Sequence, residues 1–399
     1  MSQIELLAPA GDLQRAKVAF LYGADAVYVG GKRFSLRARA SNFEIGDLKE
    51  AADFAHSMGK KLFVTVNMIA HEEDLDGLET YLKELDEIHV DAIIVASLAI
   101  AQLAQQMNLS YEVHLSTQLS VTNSKAMEFY KSLGIDRVVL ARELDLQTIT
   151  DISSNTILPT EVFIHGGMCV NYSGRCTLSN DMTLRDANRG GCAQSCRWAY
   201  ELTQNDQVIS KQEDPFTMGS KDLQTLDLIE NLIQSKVVSL KIEGRMKSAY
   251  YIAVIVKAYR LWIDALLNKT ADQSLRDQLI KELNQAENRS TFDGFLNALP
   301  NRNGQVYVNQ EEAVVQNFIG TVLKVKDDEV LVEMRNNVKL GELCEVFGPS
   351  KLNESFILTS LCDEKGNLIQ TANKPMAKLI MKIPCVVHVG DFIRRKGNL

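Results

Sequence analysis

The feature that most constrains the fold is a repeating pattern in the first 245 residues, where short apolar runs alternate with helical patterns. The runs are nearly continuous in hydrophobicity, as expected of parallel strands covered on both faces. We predict strands at Ile4–Ala8, Ala26–Gly30, Leu62–Asn67, Ala92–Ala96, Tyr111–Leu115, Arg137–Ala141, Glu161–His165 and Val238–Ile242. Eight such strands, each followed by a helix or loop, predict an α/β fold, a (β/α)8 TIM-like barrel over residues 1–270. An open doubly wound sheet is the alternative, but no G-x-G-x-x-G loop follows the first strand.

A long insertion between the seventh and eighth strands carries four of the seven cysteines, Cys169, Cys176, Cys192 and Cys196. Their spacing is C-x6-C, a fifteen-residue gap, then C-x3-C. Thiolates are the ligands of zinc and of iron–sulfur clusters, so we predict a metal site on these four residues. Because the insertion follows a strand end, we expect it to lie over the mouth of the barrel. Cys192 and Cys196 would share one face of a helical turn.

The cysteine spacing alone is compatible with more than one kind of site. Zinc and a 4Fe-4S cluster both bind four thiolates, although the C-x2-C pairs of zinc knuckles are missing, which favours the cluster. The start MSQIELLAPAGD has no secretory pattern and no segment is long and apolar enough for a membrane span. We therefore predict a cytoplasmic protein without membrane contact, in which disulfides are disfavoured. Cys344, Cys362 and Cys385 are interpreted as small buried apolar residues.

Charge sets limits on binding partners. The net charge is −8 and the sequence pI is about 5.4, which is the wrong sign for a general coat of nucleic acid. Any RNA contact must come from local basic patches. The candidate patches are Arg33, Arg37 and Arg39; Arg185, Arg189 and Arg197; and the tail residues Arg394, Arg395 and Lys396. We predict that the tail patch contributes to RNA binding.

The last third of the chain has a different pattern. Residues 271–312 are polar and partly helical, with a helix predicted over Asp272–Asn288, and are interpreted as a connector. From residue 313 to residue 399 short alternating strands separated by turn signals predict a small all-β barrel domain.

Several sequence blocks resemble the collagenase-like peptidase family, U32. They are ELLAPAGD, DAVYVGGKRFSLRARASNF, VHLSTQLSVTN, EVFIHGGMCVNYSGRCTLS, RGGCAQSCRWAYE and KIEGRMKS, and the similarity extends from end to end. Despite its name, the family contains oxygen-independent hydroxylation proteins with a 4Fe-4S cluster, and this chain most resembles the tRNA hydroxylation branch. The resemblance implies formation of 5-hydroxyuridine at the tRNA wobble position, with prephenate as co-substrate.

The resemblance also suggests roles for individual residues. It implies cluster ligation by the four cysteines of the insertion. Prephenate has two carboxylates, so its pocket needs cationic side chains. We predict Arg37, Arg39 and Lys241 for this role. The predicted catalytic residues at the strand ends are His165 and Glu243, which would transfer protons, and Arg245. An electron-donor protein is a further possible partner. Alternatively, Glu243 and Arg245 pair with each other across the rim.

Two other functions are compatible with the sequence. The family name suggests a peptidase, but no H-E-x-x-H helix or G-x-S-x-G elbow is present. A non-catalytic RNA-binding protein, with a structural metal in the insertion, is the other alternative.

Overall fold

A computed structural model of the chain describes residues 4–36, 42–210, 216–286, 289–301, 304–306, 317–349 and 353–396. The strands up to the end of the barrel are β1 (Glu5–Pro9), β2 (Ala26–Gly30), β3 (Lys61–Val66), β4 (Ala92–Val95), β5 (Glu112–Leu115), β6 (Arg137–Val139), β7 (Thr160–Gly166), β8 (Thr203–Gln204), β9 (Gln207–Val208), β10 (Asp222–Gln224) and β11 (Ser239–Ile242). All eight predicted barrel strands are present, with small shifts at their ends.

The parallel sheet closes on itself. Each of β1 to β6 pairs in parallel with the next strand, β1 also pairs with β11, and β11 pairs with β7. The predicted (β/α)8 barrel is therefore confirmed. The other strands of this region lie outside the barrel, since β10 is antiparallel to β7 and β8 and β9 form a separate hairpin.

Helices follow the strands in the expected alternation. They are α1 (Leu13–Leu21), α2 (Ile45–Ser57), α3 (Leu78–Glu87), α4 (Leu98–Gln106), α5 (Ser124–Ser132), α6 (Leu146–Asn155), α7 (Leu178–Thr183), α8 (Ile229–Gln234), α9 (Ala249–Leu267) and α10 (Gln273–Leu283). Asp12 caps α1, because its side chain accepts a hydrogen bond from the Arg15 amide. Before α3, the segment Glu72–Asp74 forms a separate 3-10 turn, and Gly77 then adopts a left-handed conformation where the helix begins.

The interior of the barrel contains both apolar and charged side chains. An apolar group contains Leu7, Ala26, Tyr28, Phe63, Ala92 and Ile94. The barrel also contains buried charged residues. Among them, Glu161 accepts hydrogen bonds from Lys241 Nζ at 2.6 Å and from Arg137 Nη1 at 3.2 Å. Arg137 also donates to Glu5 at 2.5 Å. Because these partners come from β1, β6, β7 and β11, the ion pairs tie together the strands that close the barrel.

The C-terminal part is a curled antiparallel sheet, as expected for a small all-β domain. Its strands are β13 (Phe318–Lys326), β14 (Glu329–Met334), β15 (Val338–Lys339), β16 (Leu343–Phe347), β17 (Glu354–Ile357), β18 (Leu361–Cys362), β19 (Thr371–Ala372), β20 (Lys378–Lys382) and β21 (Phe392–Arg395). The short strand that precedes them, β12 (Thr291–Phe292), belongs to the first domain, where it pairs in parallel with β10. The seven-stranded sheet has the order β17-β16-β21-β13-β14-β20-β18, and β15 pairs with β19. A second apolar core fills this domain.

Aromatic and ionic contacts join the C-terminal sheet to the barrel. Tyr250 of α9 stacks on Phe318, with ring centroids 4.8 Å apart. Arg394 is fully buried, where it donates to Glu282 at 2.8 Å and to Glu345. The predicted RNA contact of Arg394 is therefore wrong, because this side chain is committed to the interface. In the part of the chain that the structure describes, no helix has both the length and the apolar character required to cross a bilayer.

Candidate active site

A cavity of about 160 Å³ opens at the C-terminal ends of the barrel strands. All four cysteines of the insertion line it, together with Lys241, Glu243 and Arg245. Other lining residues are Tyr28, Asn67, Gln118, Arg142, Glu143, Phe163 and Met168. Because these residues come from most of the strand ends and from the insertion, the insertion covers the barrel mouth as predicted. We call this space the inner cavity.

Local contacts hold the cysteine-bearing segments in place. The Asn188 side chain accepts from the Cys176 amide at 3.2 Å and donates to the Cys176 carbonyl at 3.0 Å. Ser173 donates twice to Glu143, from its amide at 2.6 Å and from its hydroxyl at 3.0 Å. Arg189 forms ion pairs with Asp74 and Glu73, which attach the insertion to the loop after β3. This arginine therefore has a structural contact rather than a free surface position.

The second cysteine pair is not arranged as predicted. Cys196 lies in a short 3-10 turn, Ser195–Arg197, while Cys192 precedes it in an irregular loop. Gln194 between them has a left-handed backbone, with φ of 59°, which prevents a continuous helical turn from Cys192 to Cys196. Both cysteines still line the same cavity. The bend also lets the Gln194 amide donate to Cys192 Sγ at 3.4 Å.

The four thiols supply the donor set that a 4Fe-4S cluster or a zinc ion requires. The four cysteines of the insertion are free thiols. Burial raises the pKa of the Cys196 thiol, the Arg197 guanidinium opposes this shift, and the charges of the other three cysteines raise the pKa further. All four cysteines line the inner cavity. Within the described residues, no three His, Cys, Asp or Glu side chains are arranged to hold one metal ion. A 4Fe-4S cube takes one thiolate on each of its four irons, and a structural zinc ion takes up to four thiolates. The donor set and its amide-to-sulfur hydrogen bond suit such a cube, and the cofactor remains a prediction.

Two cationic side chains pack against aromatic rings of the inner cavity. The Arg142 guanidinium lies 3.6 Å from the Phe163 ring centroid and donates to the Gly167 carbonyl at 2.7 Å. Lys241 Nζ lies 4.6 Å from the Tyr28 ring centroid and 5.4 Å from that of Phe163. Burial lowers the pKa of Lys241, and the adjacent Glu161 opposes that shift. The aromatic rings and Glu161 therefore favour a charged ammonium at the wall of the cavity.

Arg245 is buried and has several hydrogen-bond partners. Its Nη1 donates to Ser35 Oγ at 2.9 Å and to Thr65 Oγ1 at 2.8 Å, and its Nη2 donates to the Leu36 carbonyl. These bonds connect the segment after β2 to the end of β11. Arg245 therefore fixes one wall of the inner cavity.

An amide pair forms another wall. Asn67 Nδ2 and Ser116 Oγ both donate to Gln118 Oε1, each at 3.1 Å. The Asn67 orientation is set, since its Oδ1 accepts from the Leu36 amide at 3.1 Å. Gln118 Nε2 is buried and has no hydrogen-bond partner among the described residues. It is thus a donor that a bound ligand can satisfy.

His165 does not line the inner cavity. Its Nδ1 is 3.2 Å from the Tyr259 hydroxyl of α9, and its ring is close to the Tyr251 ring. The pairing of β7 with β11 contains a bulge, because Lys241 pairs with Phe163 and the next residue, Ile242, pairs with His165. This bulge turns the imidazole of His165 toward the helix layer. Burial lowers the pKa of His165 to about 3, so the ring is neutral. The predicted proton-transfer role at the rim is therefore not supported by its position.

The other predicted site residues divide into two groups. Lys241, Glu243 and Arg245 line the same cavity as the cysteines. Arg37 and Arg39 lie outside the described residues. Tyr28, Phe163 and Thr65 also line the cavity and were not predicted from the sequence. Tyr28 could have been predicted from the sequence. Side chains alternate between the two faces of a strand, and Tyr28 is two residues from the end of β2, so it lies on the same face as the residue at that end.

Comparison with known proteins identifies the family. The family model described as peptidase family U32 matches residues 11–305, and the model of its C-terminal domain matches residues 315–394. The chain belongs to peptidase family U32.

Relatives in this family carry different names. The chain is 41% identical to tRNA hydroxylation protein P1 of Bacillus subtilis (strain 168), over 98% of this chain and 94% of that protein. It is 35% identical to the 23S rRNA 5-hydroxycytidine C2501 synthase of Escherichia coli (strain K12), over 85% of this chain and 52% of the relative. It is 32% identical to a collagenase of Porphyromonas gingivalis (strain ATCC BAA-308 / W83), over 74% of each chain.

Proposed function

We propose that this U32 protein is an RNA-modifying enzyme that hydroxylates the wobble uridine of tRNA to 5-hydroxyuridine, with prephenate as co-substrate and a 4Fe-4S cluster on Cys169, Cys176, Cys192 and Cys196. The observation that carries the proposal is that four free thiols and three cationic side chains line one cavity at the mouth of a closed barrel. The similarity to a tRNA hydroxylation protein along nearly the whole chain supports the choice of substrate.

The inner cavity has the chemistry that a small dicarboxylate requires. Arg142, Lys241 and Arg245 supply positive charge, and the Gln118 amide supplies a buried donor. Carboxylates are bound most strongly by charge-assisted hydrogen bonds of this kind. When bound, a 4Fe-4S cluster supplies one-electron transfer or Lewis-acid activation.

Glu243 is the acid–base candidate whose position suits the reaction. It follows β11 directly, is half-buried, and lines the inner cavity beside the cysteines. In overall balance, uridine C5–H and water give C5–OH with release of two protons and two electrons. The co-substrate or an external acceptor takes the electrons, and a base near the reacting carbon is required to take the C5 proton. We propose that the Glu243 carboxylate takes this proton, while Arg245 holds the opposing wall in position.

The peptidase alternative has less support in the site. In the described part of the chain, neither the inner cavity nor the cavity next to it is lined by a histidine. A Cys–His or Ser–His pair, which nucleophilic proteolysis commonly uses, is therefore not formed there by the described residues.

The proposal is tested by metal analysis and nucleoside analysis of matched variants. Anaerobically purified protein is expected to contain about four irons and about four acid-labile sulfides per chain, as a 4Fe-4S cluster requires. Cys169→Ala and Cys176→Ala should lose this iron, and strains carrying only these variants should lack 5-hydroxyuridine in tRNA. Cys362→Ala in the C-terminal sheet is the control and should keep both. Zinc in place of iron, or normal 5-hydroxyuridine in the iron-free variants, would contradict the proposal.

A further inference from the structure

A second and larger cavity lies on the other side of the cysteines. Its volume is about 760 Å³. Cys169, Cys192 and Cys196 line both cavities, as do Met168 and Glu243. These five residues therefore form a partition between the inner cavity and this second space, which we call the outer cavity.

The walls of the outer cavity differ from those of the inner cavity. Three cationic residues line it, Arg197, Lys247 and Arg289, against the two carboxylates of Asp222 and Glu243. Arg289 forms an ion pair with Asp222 at 3.1 Å. Beyond this pair, Arg197 and Lys247 place two cationic side chains at the wall of the cavity, in a chain whose net charge is −8. Cationic side chains grouped at one wall of a cavity favour an anionic ligand at that wall.

One exposed side chain with an apolar surface lines this cavity, and a second follows a lining residue in the chain. Met246 lines it and is 52% exposed, and Trp198, 44% exposed, directly follows the lining residue Arg197. Unpaired RNA bases stack on aromatic side chains, while the phosphates are held by nearby cations. An exposed tryptophan that follows a cationic lining residue in the chain offers the two kinds of contact, stacking and charge, that single-stranded RNA recognition uses.

We propose that the outer cavity receives the target nucleotide of an RNA loop and that the inner cavity holds the small anionic co-substrate, so the two substrates approach the partition from opposite sides. The proposal rests on the function proposed above and adds the location of the RNA site. The phosphate flanking the target base contacts Lys247 and Arg197, and the base points toward the cysteines and Glu243. The inner cavity, at about 160 Å³, is too small for an RNA backbone.

The test is RNA binding by the metal-loaded protein, with a charge-matched pair of variants. Lys247→Glu reverses a charge in the outer cavity, and Lys83→Glu makes the same reversal on the exposed face of α3, at a residue that lines neither cavity. The probe is a labelled anticodon stem-loop with uridine at the wobble position, titrated at several salt concentrations. Lys247→Glu should weaken binding about tenfold and reduce the slope of log affinity against log salt by about one, as expected for a lost phosphate contact. Lys83→Glu should bind as the original protein does.

Two control measurements separate the possible failures. Iron content should be the same in both variants, and prephenate affinity measured by calorimetry should be unchanged by Lys247→Glu. If the original protein hydroxylates uridine but the two variants bind RNA equally, the outer cavity is not the RNA site. If the original protein neither binds the stem-loop nor forms 5-hydroxyuridine, the proposed function itself is wrong. Loss of prephenate binding in Lys247→Glu would overturn the division between the cavities.

Discussion

At the scale of single residues, Gly30 controls the position of Arg245. A Cβ added at Gly30 would overlap Arg245 Nη1 and Ser35 Oγ, because the guanidinium packs directly against the backbone at the end of β2. Arg245 needs this close approach to reach Ser35 and Thr65 at the same time. The glycine therefore has a role in the site although it carries no chemistry.

Gly30→Ala should displace the guanidinium and disturb the wall of the inner cavity. We expect hydroxylation to fall by about 10²-fold, the effect of a small misplacement in an active site, while iron content is retained. The measurement is the rate of 5-hydroxyuridine formation in isolated tRNA, together with iron analysis. Gly46→Ala is the control, since no atom lies within 4 Å of its added Cβ and it lies inside α2. It should keep full activity and be slightly more stable. Equal rates in the two variants would show that Arg245 does not depend on this packing.

At the scale of secondary-structure elements, the buried ion pairs of the barrel strands predict how the stability of the protein depends on pH. Burial alone would raise the pKa of Glu161, but the charges of Lys241 and Arg137 lower it to about 2, from an ordinary value of 4.5. A carboxylate with a lowered folded-state pKa stabilises the protein above its unfolded pKa and loses that contribution as the pH falls. The stabilisation from Glu161 is therefore complete above about pH 4.5 and is lost as the pH falls toward 2.

Glu161→Gln should destabilise the barrel by about 3–5 kcal/mol at neutral pH, because it removes the carboxylate paired with buried Lys241 and one of the two paired with Arg137. Its unfolding free energy should also fall less steeply than that of the original protein between about pH 4.5 and pH 2. Denaturant unfolding across this pH range measures both effects. Glu128→Gln removes an exposed partner of Lys125 and should change little. Identical acid profiles for Glu161→Gln and the original protein would contradict the stabilising role of this carboxylate.

The same elements show which parts of the structure can be predicted from the sequence. Strand positions follow from continuous apolar runs, so all eight barrel strands could be predicted. The candidate site could be predicted as well, because the polar residues at the strand ends and the cysteine insertion mark the same end of the barrel. The direction of His165 could not be predicted, because a bulge in the β7–β11 pairing changes its face without any local sequence signal. The bend at Gln194 could not be predicted either, because a left-handed conformation at a non-glycine residue is set by tertiary contacts rather than by propensity.

At the scale of the whole molecule, the basic tail illustrates a limit of charge patterns. Arg394, Arg395 and Lys396 form a basic patch in the sequence, but the fold separates their roles. Arg394 is buried between Glu282 and Glu345, and Arg395 donates to Glu342 at 2.7 Å. Lys396 donates to Ser355 Oγ at 2.9 Å and remains exposed. Two of the three acidic partners belong to the C-terminal sheet domain, and Glu282 belongs to α10. Because these partners are far from the tail in the sequence, the charge pattern of the tail alone could not predict the ion pairs.

Arg394→Met should therefore weaken the joint between the domains rather than the binding of RNA. Removing this cation takes away the ion-pair partner that Glu282 and Glu345 share, which should cost about 3–5 kcal/mol and separate the unfolding of the sheet from that of the barrel. Calorimetry should record a lower first transition, and the salt dependence of stem-loop binding should keep its slope. Lys396→Met removes an exposed cation next to the same strand end and serves as the control for the melting profile, which should change little. A reduced salt slope with an unchanged melting profile in Arg394→Met would restore the tail as an RNA contact. An altered profile with an unchanged slope would assign Arg394 to domain assembly and leave the outer cavity as the place where RNA binds.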